Sequence, residues 1–85
     1  MSEHDTYHEL NLSRRERQIM EVIYRLGEAS AQEVLERLPD PPSYSAVRTM
    51  IRHLENKGLL RHRREGTKYV YRATQSKESA SRSAL

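Results

Sequence analysis

Eighty-five residues, 35% hydrophobic and 32% charged, make one small soluble domain with a modest core and no room for a second. The lack of cysteine excludes disulfides, thiolate metal sites and thiol catalysis. No apolar run approaches the length of a membrane span or a signal-peptide core, so no membrane association and a cytoplasmic location are expected.

The net charge of +3 is unevenly spread. Residues 1–42 hold five Lys/Arg against nine Asp/Glu, whereas residues 43–72 hold eight against two, a local net of +6. An acidic scaffold behind a basic face is the electrostatic footprint of a nucleic-acid binder. Charge alone also fits a merely solvated surface, so the elements must decide.

Residues 1–10 are polar and without period, and read as a mobile arm. In "LSRRERQIMEVIYRLGEAS", Ser13 as N-cap and Glu16 three residues later form a capping box, in which each side chain satisfies the other residue's backbone N–H. Ile19, Met20, Val22, Ile23 and Leu26 recur at helical spacing, and Gly27 ends this first helix. "SAQEVLERL" repeats the device with Ser30 and Glu33, burying Val34, Leu35 and Leu38 before "PDPP" stops the second helix. The intervening "EAS" has room for a brief edge strand.

"SYSAVRTMIRHLENKGLL" is the third helix, with Val47, Met50, Ile51 and Leu54 inward and Ser45, Arg48, Thr49 and Arg52 outward. Gly58 follows at the position where a positive φ is cheapest. Ser43 or Ser45 can cap this helix, but no acid stands three residues later: those positions are Ala46 and Arg48. Its first turn therefore leaves backbone N–H groups and the positive dipole end open to a phosphate.

"LLRHRREGTKYVYRA" reads as a β-hairpin turning at Gly66. Tyr69 and Tyr71 fall on one face of its second strand, where they are expected to pack the sheet against a helix. Residues 75–85 read as the opening turns of a further helix, cut off before an apolar face develops.

Three helices followed by a basic hairpin are the order of a winged helix-turn-helix, a mainly α fold with a small β-hairpin. In that arrangement the third helix enters the major groove of double-stranded DNA. Arg48 suits a guanine, because its fork matches the O6/N7 acceptor pair. The expected DNA-binding set is Ser43, Tyr44, Ser45, Arg48, Thr49 and Arg52 from the helix and Arg63, Arg64 and Lys68 from the wing. His53 and His62 are expected to lack acidic or cysteine companions, and His4 and His8 fall in the arm. No metal or other cofactor is expected, and no catalytic set, so the chain is not read as an enzyme.

"LSRRERQIMEVIYRLGEASAQEVLERLP" and "YSAVRTMIRHLENKGLLRHRREGTKYVYR", in this order, resemble the penicillinase-repressor (BlaI/MecI/CopY) family of bacteria. The most specific pieces are Met20 to Gly27, the Tyr44–Val47–Thr49–Leu54 pattern, Lys57–Gly58–Leu60 and Tyr69-x-Tyr71. The resemblance covers residues 10 to 85 and implies a transcriptional repressor that binds an inverted-repeat operator as a homodimer. It further implies a DNA-binding domain over residues 11–74, with dimer-forming helices beginning in 75–85. Relatives are relieved of repression by proteolysis beyond this domain or by metal binding to C-terminal cysteines, which this sequence lacks. Ala46 and His53 stand where relatives often carry threonine and arginine. Two alternatives stay open: a winged-helix module whose basic face binds an acidic protein, and another winged-helix family such as the multiple-antibiotic-resistance regulators. With only "SKESASRSAL" after the hairpin, the 85-residue chain is expected to be monomeric in free solution and to pair weakly, if at all, when two half-sites bring copies together.

Overall fold

The computed structural model describes residues 12–75; the N-terminal arm, with His4 and His8, and the segment from Ser76 onward lie outside the described residues. Helix α1 runs Arg14–Leu26, α2 runs Ala31–Arg37 and α3 runs Tyr44–Asn56, followed by strands β1, Leu60–Glu65, and β2, Lys68–Ala73. The strands pair antiparallel from Leu60↔Ala73 to Glu65↔Lys68, leaving a two-residue turn in which Gly66 has φ +65°. Glycine at the first turn position matches the twist of the flanking strands without a Cβ penalty.

Both expected capping boxes form. Ser13 Oγ accepts from the Glu16 N–H at 3.1 Å while the Glu16 carboxylate accepts from the Ser13 N–H at 3.0 Å. In α2, Ser30 and Glu33 repeat the exchange at 3.2 and 2.8 Å. The backbone N–H of Ser30 holds the Glu33 carboxyl below its ordinary pKa. Helix α3 is capped by Ser43, which accepts from the Ala46 N–H at 3.0 Å, and its first turn carries no acid.

Ile19, Met20, Ile23, Val34, Val47, Ile51 and Leu54 are fully buried where the three helices meet, each contributing roughly 1.5–3 kcal/mol by leaving water. Leu26, Leu35 and Met50 are only partly buried against this core. The edge strand expected at "EAS" is one residue wide: Ala29 and Tyr71 exchange both backbone hydrogen bonds, at 2.9 and 2.8 Å. That bridge holds the base of the hairpin to the α1–α2 turn.

One expectation about the hairpin needs correction. The register puts Tyr69 and Tyr71 on one face, yet only Tyr71 is buried, and Tyr69 is 43% exposed. Tyr71 sits at the bridged base over the helices, whereas Tyr69 lies two residues nearer the tip, beyond their cover. Val70, on the opposite face, is buried in a groove lined by Arg61, Arg63 and Arg72, whose aliphatic stems can shield it.

Candidate nucleic-acid interface

Two junctions fix how α3 is presented. At its N-terminal side, the chain turns through Pro39–Pro42, where Asp40 adopts a positive φ of 43°. Arg15 of α1 holds this turn with both arms of its guanidinium, donating to the Pro39 carbonyl at 2.7 Å and the Asp40 carbonyl at 2.9 Å. Sequence reasoning missed this role, because the contact joins residues 24 and 25 positions apart.

At its C-terminal side, α3 ends in a Schellman motif. The Leu59 N–H bonds to the Leu54 carbonyl at 3.0 Å and the Gly58 N–H to the Glu55 carbonyl at 2.9 Å, with Gly58 at φ +82°. Thr74, just past β2, returns to this motif: its hydroxyl donates to the Gly58 carbonyl at 2.8 Å and its N–H to the Leu59 carbonyl at 3.0 Å. The hairpin is thereby fastened to the end of α3.

The described histidines correct the expectation that they lack acidic companions. His62 of β1 contacts the Glu55 carboxylate of α3, and His53 lies 3.9 Å from Glu16. The His62 ring also packs on Tyr69 and Tyr71, with centroids 4.6 and 5.6 Å away. Burial raises the Tyr71 hydroxyl pKa above its ordinary value, and the charge of Glu55 adds to that. Among the described residues no three histidines or acids group as metal ligands.

The expected DNA-binding residues separate into groups. Ser43, Tyr44, Ser45, Arg48, Thr49 and Arg52 are all exposed on α3. Ser43 is used by its own cap. The N–H groups of Tyr44 and Ser45 have no acceptor among the described residues, the open end that an anion can occupy. Arg48 lies with its guanidinium carbon 5.9 Å from the Tyr44 ring centroid and has no carboxylate partner among the described residues.

The wing residues are divided by the strand register. Arg64 shares a face with Tyr69, His62 and Tyr71, and its Nε donates to the Gly66 carbonyl at 3.3 Å across the tip. Arg63 and Lys68 lie on the other face. Arg63 is ion-paired with Glu28 of the α1–α2 turn and lies 3.5 Å from Glu65. The hydrogen bond that Arg63 donates to Glu28 holds the Arg63 pKa above its ordinary value. Arg48 and Tyr44 thus pair on α3 and Arg64 braces the wing tip, while Arg63 is already engaged.

Among the described residues no helix is long and apolar enough to cross a membrane. The penicillinase repressor family model matches residues 12–85. The solution structure of the DNA-binding domain of the repressor BlaI is 28% identical to the chain, covers 82% of it and 85% of that domain, and superposes with a TM-score of 0.71. A homodimeric winged helix-turn-helix DNA-binding domain from Mycobacterium bovis, described as a possible ArsR-family regulator, also gives a TM-score of 0.71. It is 20% identical, with 98% of this chain and 72% of that one covered, and so speaks to the fold alone. No curated protein matches the sequence. A family match over nearly the whole chain, on a fold shared with a repressor's DNA-binding domain, places the protein among transcriptional regulators: it belongs to the penicillinase repressor family and is a winged helix-turn-helix, DNA-binding transcriptional repressor.

Proposed function

We propose that the repressor binds an inverted-repeat operator in double-stranded DNA, one α3 in the major groove of each half-site, and excludes polymerase from the promoter. The observation that carries this reading is the contrast among the three helix N-termini. Ser13 and Ser30 are each matched by a glutamate that closes the box, while the Ser43 cap is followed by Ala46, so its first turn carries no acid and the Ser43 N–H receives no returning carboxylate. A carboxylate there would repel the phosphates of a docked duplex.

In this reading Arg48 and Thr49 contact base edges, Ser43, Ser45 and Arg52 meet the backbone, and the Tyr44 ring lies against the groove wall. Arg64 and Lys68 anchor the wing on phosphate. Arg63 contributes less, since a phosphate must compete with Glu28 and Glu65 for its guanidinium. Residues 11–74 constitute the DNA-binding unit. Two copies meet on the operator as a homodimer, with the contact built from residue 75 onward. A repressor of this kind acts in the cytoplasm, where a bacterial chromosome lies.

The test is enrichment. The full chain, incubated with a pool of random duplexes, should select one sequence motif whose two halves are related by dyad symmetry and spaced by about one helical turn. Selection of no motif would overturn the sequence-specific reading. Selection of a single unpaired half-site would overturn the homodimer.

A further inference from the structure

Tyr44 and Tyr69 are the large hydrophobic side chains left exposed among the described residues, at 45% and 43%. Neither belongs to the buried core cluster. Tyr44 is the first residue of α3, and Arg48 lies four positions on, the spacing that brings two side chains onto one helix face. The Arg48 guanidinium carbon is 5.9 Å from the Tyr44 ring centroid, within cation–π range. Arg48, Tyr44, Tyr69 and Glu55 are also the charged and phenolic groups whose fields reach the Tyr71 hydroxyl. Glu55, the acid among them, is paired with His62.

We propose that Tyr44 is a specificity-determining positioning residue: its ring is the platform that holds the Arg48 guanidinium in the orientation needed to read a base. This inference rests on the reading of α3 as the recognition helix and goes further, by giving the ring a role that exposure alone leaves unexplained. A bidentate contact with a guanine edge needs the guanidinium plane aligned with the base pair. An arginine free to rotate falls as readily onto a phosphate, which adds affinity for every sequence and discrimination for none. A ring beneath the guanidinium restricts that rotation before DNA arrives, so less side-chain freedom is lost when the base contact forms. An acid in the same place would restrict it equally well but would bring a negative charge to the groove. Tyrosine orients the cation without one.

Three substitutions at the same position separate the ring from its alternatives. The probes are the duplexes that the unsubstituted chain enriches from a random pool, measured against the random pool itself. Tyr44→Phe keeps the π face and should keep the ratio of the two affinities. Tyr44→Leu keeps apolar bulk without the π face and should lower the ratio about two- to fivefold, as should Tyr44→Ala. The salt dependence should not change in any of them, because no phosphate contact is removed. In the free protein, the Arg48 side-chain NMR resonances should show a ring-current displacement that persists in the Phe variant and vanishes in the Leu variant.

A Leu variant that discriminates as well as the parent would overturn the platform, leaving α3 as the reader. A Phe variant that fails together with Leu would overturn it too, by assigning the effect to the hydroxyl. If the unsubstituted chain enriches no sequence, the recognition-helix reading itself fails and this inference falls with it.

Discussion

The Glu16 carboxylate closes the capping box of α1 and, 3.3 Å away, accepts a hydrogen bond from the ammonium of Lys57, the C-cap of α3. One buried side chain thus ties the start of the first helix to the end of the third. Burial by itself raises the Glu16 pKa, but the Ser13 backbone N–H and Lys57 outweigh it and leave the carboxyl below its ordinary 4.5. A folded pKa below the unfolded one means stability that is complete above the unfolded value and is lost as pH falls through the folded value. Urea unfolding should therefore show Glu16→Gln destabilised at neutral pH by about 1–3 kcal/mol, with the gap from the parent closing below pH 4.5. A gap independent of pH would contradict the charge-based role.

The missing acid in α3 can be supplied. Ala46 occupies the position that Glu16 and Glu33 hold in α1 and α2, so Ala46→Glu should complete a third capping box. The free protein should gain about 0.3–1 kcal/mol in thermal or urea unfolding. Its affinity for all duplexes should fall, because the new carboxylate faces the phosphates. Unchanged DNA affinity would refute the account given of the open helix end.

Glu28 is ion-paired with Arg63, so Glu28→Gln should free Arg63 for a phosphate. Filter binding should show tighter binding to every duplex and a salt slope steeper by about 0.9, the value for one added phosphate contact. Arg63→Ala, by comparison, should change affinity little while Glu28 is present.

Gly58 has φ +82°, and a Cβ built there meets nothing within 4 Å. Gly58→Ala should consequently cost only the left-handed backbone term, about 1–2 kcal/mol in urea unfolding, without steric repacking. Because Thr74 bonds to the Gly58 carbonyl, wing amide shifts should respond as well as those of α3.

The parts of this molecule legible in the sequence are those coded locally. Ser13–Glu16 and Ser30–Glu33 announce two helix starts by spacing, Gly58 and Gly66 mark a helix end and a hairpin turn, and the apolar periods identify the core faces. The candidate set on α3 was readable for the same reason, since an outward stripe follows from the inward one. Contacts between elements were not readable. Arg15 on the Pro39–Asp40 turn, Lys57 on Glu16, His62 on Glu55 and Arg63 on Glu28 all depend on how helices and hairpin are set against one another. Tyr69 shows the limit most simply: alternation gives its face, but its distance from the helices decides its exposure.

The most direct test of the account is Arg48→Ala, assayed by quantitative footprinting on the enriched duplex and on a random one. The account predicts a loss of about 1–3 kcal/mol on the enriched sequence, a relaxed preference at one base pair per half-site, and nearly unchanged binding to random DNA. An Arg48→Ala protein that binds both duplexes with the parent's affinity ratio would show that α3 does not read the operator through this residue.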